Sequence, residues 1–324
     1  MSDTRNLYFV NPRSGRQLNR RDNKLWDASS NEVIARVVDG IPRFVEPDED
    51  YADSFGFQWN KWHSVLSQSR SNYQHAEDLK KRSGLWDGVF DVKGKRLLEC
   101  GMGGGDDTEV LLTLPFSEIH SFDISRSVER AAKYLKDPRL TISQASIYEI
   151  PYPKESFDVV WCHRVIQHTP DPEAAMRCVC RMVKPGGFLF IHSYKRSKRY
   201  MQEFRYFYRP ITTRLPKYWI YLFLRFFGAP MHYCNRVLGR VWPTRELAYR
   251  FLPFYLQTNE LMKRMGTSEL IEWQRMVTFD ALTPRYDSPM TSEEFRRILR
   301  DEGFEILWIH DPDVNPLIAR AVRK

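Results

Sequence analysis

"LLECGMGGGDDTEVLL", residues 97–112, places four glycines within five positions, Gly101, Gly103, Gly104 and Gly105, and follows them with two aspartates. The preceding "KRLLEC" has the apolar run of a buried strand, and "DTEVLLTL" begins a helix with Asp106 or Asp107 available as its cap. The glycines are then the tight turn between strand and helix. Downstream, "EIHSFDIS" reads as a second strand ending in Asp123, and "SVERAAKYL" as a second helix. Asp123 stands about twenty residues beyond the glycines, where a doubly wound sheet sets an acid against the hydroxyl pair of a ribose. The glycine loop is therefore expected to face a nucleoside.

The spacing narrows which one. A dinucleotide loop is spaced G-x-G-x-x-G and leaves helix N–H groups open to a pyrophosphate. Here the spacing is G-x-G-x-G, and two carboxylates at the helix entry would repel a pyrophosphate but tolerate a cation. S-adenosylmethionine joins an adenine nucleoside to an ammonium and a sulfonium.

The continuation, "QASIYEIPYPKESFDVVWCHRVIQHTPDPEAAMRCVCRMVKPGGFLFIHSY" at 144–194, resembles the class I S-adenosylmethionine-dependent methyltransferases, in particular those with a "V-L-H-H-T-P-D-P" segment. The likeness covers roughly residues 95–194, with five motifs in the family's order. It implies an α/β fold: a Rossmann-like, doubly wound, mostly parallel seven-stranded sheet, with a small N-terminal β-rich module and a helical insertion after strand five. It also implies roles. Glu99 would orient the methionine ammonium; Gly101, Met102, Gly103 and Gly105 would bring backbone against the cofactor. Asp123 would take the ribose hydroxyls, with Ile124 beside the adenine. Ser146 and Ile147 would read the adenine edge, Ser146 standing where an aspartate is commoner. Cys162 and His163 would end the fourth strand beneath the methyl group.

Methyl transfer from a sulfonium is an in-line displacement that rests mainly on positioning. A general base is needed only if the acceptor arrives protonated, as a hydroxyl does. His163 and His192 are the catalytic candidates, because both lie at the C-terminal edges of strands, where open α/β sheets bind their ligands. Tyr194 follows His192 and could line the acceptor side, whereas His168 reads as a packing residue. The tetrapeptide N/D-P-P-Y/F of nucleobase amino-methyltransferases is absent, and no cysteine follows a proline.

Composition sets the remaining limits. The chain has 324 residues, 42% of them hydrophobic, enough for a sizeable core. The N-terminus lacks the apolar core of a signal peptide, and "YWIYLFLRFF" at 218–227 is about half the length of a membrane span. Five scattered cysteines without a C-x-x-C pair fit a reducing compartment and no metal site. A cytoplasmic protein is expected. Net charge is +8, yet residues 193–250 hold thirteen Lys/Arg against two acids and the rest 36 against 39, so the basicity is local.

"LYFVNPRSGRQL…LWDASSNEVIARVVDGIPRFV" resembles the small zinc ribbon found ahead of such methyltransferases, but Asn11, Ser14, Ala28 and Asn31 occupy the ligand positions and no metal is expected. The stretch "YADSFGFQWNKW" resembles an "F-G-x-Q-W" segment of the same architecture, which puts Gln58, with Phe57 and Trp59, over the cofactor. The resulting division is 1–50 for the degenerate ribbon, 51–192 for the cofactor domain, 193–278 for a basic, aromatic helical cap, and 279–324 for the strands completing the sheet. In the cap, Arg205 and Arg209 are expected to hold an anionic acceptor, and Tyr206, Tyr208 and Trp219 to bury the cap. The expected function is methylation, at oxygen, of a small-molecule or glycan acceptor, such as a surface saccharide. Peripheral contact with the inner membrane face fits the basic cap. The alternatives are an RNA methyltransferase, disfavoured by the absence of an RNA-binding module, and a cofactor-binding partner protein without turnover.

Overall fold

The computed structural model describes residues 9–46, 51–62, 74–255 and 265–324. Leu7 and Tyr8 of the ribbon-like stretch, and residues 47–50, lie outside the described residues. The chain forms two compact units, Met1–Ala52 with Asp78–Lys195 and Tyr286–Lys324, and Asp53–Glu77 with Arg196–Arg285. These boundaries differ from those read in the sequence: Asp53–Glu77 groups with the helical insertion, because its aromatic helix packs there.

The first unit is organised by one sheet. Strands β1 (Leu18–Arg21), β2 (Lys24–Asp27), β3 (Glu32–Val38) and β4 (Ile41–Arg43) come first. Then follow β5 (Arg96–Cys100), β6 (Glu118–Asp123), β7 (Leu140–Gln144), β8 (Phe157–Cys162), β9 (Val183–Ser193), β10 (Phe304–His310) and β11 (Leu317–Arg323). The spatial order is β1-β2-β3-β4-β7-β6-β5-β8-β9-β11-β10. From β4 to β9 the pairs are parallel, and both ends are antiparallel. The strand order reverses between β5 and β8, which is where doubly wound sheets open their ligand crevice.

The expected seven-stranded sheet is therefore one part of an eleven-stranded sheet. The N-terminal strands join it where Arg43 pairs with Gln144, the Phe44 N–H donating to the Gln144 carbonyl at 2.8 Å. The Arg43 guanidinium adds bonds to Gln144 Oε1 at 2.9 Å and to Glu129 at 3.2 Å. A four-stranded module this small cannot bury a core of its own. Phe9, Leu18, Leu25, Ala35 and Val37 instead pack into the main core, against residues such as Tyr152 and Phe157.

At the expected ribbon knuckles a buried Asp27 stands in the centre. Its carboxylate accepts from Asn11 Nδ2 at 2.8 Å, Ser14 Oγ at 3.1 Å and Ser29 Oγ at 2.6 Å. These bonds, the Ser29 hydroxyl first, hold its pKa well below the usual carboxylate range. Asn11 and Ser14 thus act as hydrogen-bond donors, Ala28 neighbours the Asp27 knot, and Asn31 takes a left-handed turn position at φ 56°.

Alternation along the central strands sends side chains to opposite faces. Leu98, Cys100, Val160, Cys162, Leu189 and Ile191 enter one core, and Leu97, Val159, Trp161, Phe188 and Phe190 the other. The helices of this unit are α3 (Asp106–Leu111), α4 (Ser127–Tyr134), α5 (Pro172–Cys180) and α10 (Ser292–Asp301), and α2 (Gln74–Ser83) crosses the boundary between the two units. Helix α5 starts with Asp171 accepting from the Ala174 N–H and Pro172 in the first turn; α10 starts with a Thr291/Glu294 capping box.

The second unit is helical: α1 (Asp53–Lys61), α6 (Phe204–Thr212), α7 (Lys217–Leu238), α8 (Trp242–Phe251) and α9 (Thr267–Leu282). Trp62, Phe204, Leu224, Phe254, Met276 and Phe279 form its core, with Phe57 stacked on Phe279 at 5.4 Å. Here the expectations for the arginines and aromatics need correction. Arg205 is 4% exposed, paired with the buried Glu203 and bonded to Tyr255, so it belongs to the packing of this unit. Arg209 donates to the Ala281 carbonyl at 3.3 Å. Tyr208 donates to the Phe251 carbonyl and Tyr206 is half-buried, whereas Trp219 is 65% exposed.

Candidate functional site

One cross-strand row runs across β6, β5, β8 and β9 near their C-terminal edges. Ser121 pairs with Glu99, Glu99 with Trp161, and Trp161 with Phe190. One step further along the strands stand Gly101, Asp123, His163 and His192.

Gly101 leaves β5 at φ 81°, and a Cβ there would lie 2.2 Å from Val165 Cγ2. Gly105 has φ 89°, with Leu135 Cδ1 2.7 Å from where its Cβ would be. Both need a residue without a side chain, since the left-handed region and the close neighbour exclude others. Gly105 also occupies the cap position of α3 without any side-chain cap, so Asp106 and Asp107 lie inside the first helical turn and are not its caps.

Glu99 is 1% exposed. Its Oε2 accepts from Thr108 Oγ1 and Ser121 Oγ, both at 2.7 Å, while Oε1 is buried with no hydrogen-bond partner. Burial, followed by the nearby Asp107 charge, pushes the carboxyl up to about 8. A buried acceptor is costly to leave unmatched, and a cation at Oε1 would restore the ionised form.

Asp123 accepts from the Gly103 N–H at 2.8 Å through one oxygen, and from the Ser125 N–H at 2.8 Å and hydroxyl at 2.7 Å through the other. It ties the glycine loop to the end of β6. Burial raises its pKa against these bonds. An ionised carboxylate has about four acceptor positions, so three donors leave capacity for a ligand hydroxyl.

Asp107 proves to be the organiser of the opposite side. Its Oδ2 accepts from Trp161 Nε1 at 2.9 Å and lies 2.7 Å from His163 Nδ1. With Asp107 ionised, the His163 proton sits on Nδ1, which makes Nε2 the basic nitrogen. Trp161 is itself fixed by stacking on Phe190 at 4.1 Å. His192 stands edge-on to His163, ring centroids 5.0 Å apart, at 3% exposure and with no partner for Nδ1. Burial first, then the charges of His163, Arg164 and Arg82, hold its pKa well below the ordinary imidazole value, so it is neutral.

The other sequence candidates fall as follows. Met102 packs with Ile41, Val128 and Ala131, and Ile147 lies in the main core, so both turn their side chains inward. Cys162 is fully buried in that core, its thiol pushed far up by burial. Ile124 is 9% exposed and its carbonyl accepts from Gln144; Ser146 Oγ accepts from the Tyr148 N–H at 3.3 Å. His168 bonds the Tyr286 carbonyl at 3.1 Å and lies edge-on to Tyr194. Gln58 is buried and belongs to the second unit. Asp107 and Trp161 were not assigned to the site from sequence; two adjacent acids at one helix entry were the available hint, since a helix has a single cap position.

Residues 98–191 match the family model described as "Methyltransferase domain". The chain is 36% identical over 101 residues to 27-O-demethylrifamycin SV methyltransferase of Amycolatopsis mediterranei, covering 30% of this chain and 37% of that protein. It is 31% identical over 124 residues to a ubiquinone biosynthesis O-methyltransferase of Neisseria meningitidis, covering 35% and 50%. The chain thus spans between about a third and a half of these two relatives' length. Among solved structures, magnesium protoporphyrin IX methyltransferase from Synechocystis, with bound SAH, superposes with a TM-score of 0.46 at 14% identity, covering 86% of this chain and 98% of that one. Within the matched residues, the unmatched Glu99 oxygen, the closely approachable glycine loop and the Asp123 carboxylate suit a ligand carrying an ammonium and a ribose.

Proposed function

We propose that the chain is an S-adenosylmethionine-dependent methyltransferase that methylates a hydroxyl of an anionic small-molecule or glycan acceptor. The observation that carries this reading is Glu99 Oε1, buried and unmatched beside the glycine loop. When bound, S-adenosylmethionine supplies an electrophilic methyl group on sulfur. Glu99 holds the ammonium, directly or through water, and the carboxyl ionises as it does so. Asp123 accepts from a ribose hydroxyl while keeping its bond to Gly103.

Oxygen as the methylated atom is supported by the Asp107–His163 pair. A hydroxyl must lose its proton as it attacks, and His163 Nε2 takes that proton while Asp107 holds the tautomer and stabilises the imidazolium. His192, neutral and buried, is a poor base and serves to hold the His163 ring. An anionic acceptor is suggested by the local basicity of residues 193–250, thirteen Lys/Arg against two acids.

The test is mass spectrometry of cell extract and of defined hydroxylated acceptors incubated with the protein and isotope-labelled S-adenosylmethionine. Label in a small molecule or glycan is expected. Label confined to RNA, or cofactor binding with no labelled product, would favour an RNA methyltransferase or a partner protein instead.

A further inference from the structure

Helix α7 is apolar on two opposite faces, and only one is packed. Ile220, Leu224, Gly228, Met231 and Asn235 are buried, and Arg275 closes over Gly228 by donating to the Leu224 and Arg225 carbonyls at 2.9 Å. On the other side Trp219, Phe223, Phe226, Pro230, Tyr233 and Val237 are all exposed. Their spacing alternates four, three, four, three and four residues, which keeps them on one stripe along the whole helix. Trp219 is 65%, Phe226 74% and Val237 62% exposed. A soluble surface rarely presents so long an apolar stripe without a use for it.

The charges around the stripe say what covers it. Arg236 lies beside it, and Arg240, Arg245 and Arg250 follow, all exposed, whereas Arg225 is engaged by Glu272 at 2.8 Å. The two acids of residues 193–250 are already engaged, Glu203 with Arg205 and Glu246 with Arg199. A second copy of the chain would bring like charges together. Bulky aromatics and a proline at these positions also interdigitate poorly in a helix pair. Phenylalanine and tryptophan on one face with arginines beside them are the composition of a helix lying in the interface of an anionic bilayer. Among the described residues no helix is long and apolar enough to cross a membrane.

We infer that α7 docks the chain on an anionic lipid surface, its aromatic stripe set among the headgroups and acyl ends and its arginines on the acidic headgroups. This stands independently of the methyl-transfer reading.

The full chain should be sedimented with phosphatidylcholine vesicles and with vesicles also containing phosphatidylglycerol, at low and high salt. Binding is expected to the second kind, weakening as salt rises. Trp219→Ser with Phe226→Ser, both on exposed side chains, should lower it by about tenfold or more at an unchanged melting temperature. Arg236→Glu with Arg240→Glu should also weaken it. Failure to bind either vesicle, equal binding by the aromatic variant, or a wild-type dimer that this variant converts to monomer in light scattering would overturn the inference.

Discussion

Asp107 Oδ2 is shared between Trp161 Nε1, at 2.9 Å, and His163 Nδ1, at 2.7 Å. The indole holds the carboxylate in place, and the carboxylate fixes which imidazole nitrogen can accept a proton. Asp107→Asn should therefore lower turnover by about a hundredfold or more, the usual contribution of a positioned base. Cofactor affinity should hold or rise slightly, because the Asp107 charge opposes ionisation of Glu99. Trp161→Phe keeps the stacking and should lose less. Steady-state kinetics on a labelled acceptor, with cofactor affinity measured alongside, checks this; unchanged turnover in Asp107→Asn would remove His163 from proton transfer.

Glu99 makes cofactor affinity depend on pH. Its carboxyl is pushed up to about 8, above the ordinary 4.5, so the ligand-free chain holds a proton there at neutral pH. Capture of an ammonium releases that proton, and affinity should climb with pH until about 8 and then level off. The same sign governs stability. The favourable contribution of the raised group is complete below about 4.5 and is lost as pH rises through about 8. Glu99→Gln should thus melt higher than wild type at alkaline pH without ligand, yet bind the cofactor about tenfold to a hundredfold less tightly. Calorimetry in buffers of different ionisation enthalpy counts the protons; an affinity flat from acid to alkaline pH would contradict the assignment.

Gly101→Ala combines a left-handed backbone with a Cβ driven 2.2 Å from Val165. A loss of about 2–5 kcal/mol in unfolding free energy is expected from the two effects together. Denaturant titration measures it, and a change below about 1 kcal/mol would mean the loop relaxes more easily than this packing allows.

Much of this site is legible in the sequence, because strand ends and tight turns are local features. The apolar run through Leu98, the glycines and the strand ending at Asp123 fall where their periodicity puts them. The missing parts depend on distant partners. Asp107 reads as a cap until His163, 56 residues away, is seen against it. The four N-terminal strands extend the sheet through a single pairing between Arg43 and Gln144, which no local pattern encodes. Arg205 looks like a surface charge in a basic stretch, but the Glu203 two residues before it and Tyr255 fifty residues after it turn it inward.

Asp27 should be the keystone of the N-terminal strands. Asp27→Ala strands the Asn11, Ser14 and Ser29 donors together and should lower the melting temperature and loosen hydrogen-exchange protection in β1–β3. Because the Asp27 pKa is depressed, its contribution is present above the ordinary carboxylate range and is lost as acid titrates the folded carboxylate. Wild type and variant should converge in stability only in strong acid; a constant difference down to that range would place the stabilisation elsewhere.

The most direct measurement is calorimetric titration of the purified chain with S-adenosylmethionine, its demethylated product and NAD, repeated on Asp123→Ala. The wild type should bind the first two and prefer them to NAD. Asp123→Ala should lose about tenfold or more, since it removes the ribose hydrogen bond to a charged acceptor. Tighter binding of NAD, or an Asp123→Ala variant that binds the sulfonium cofactor as well as wild type, would contradict the account.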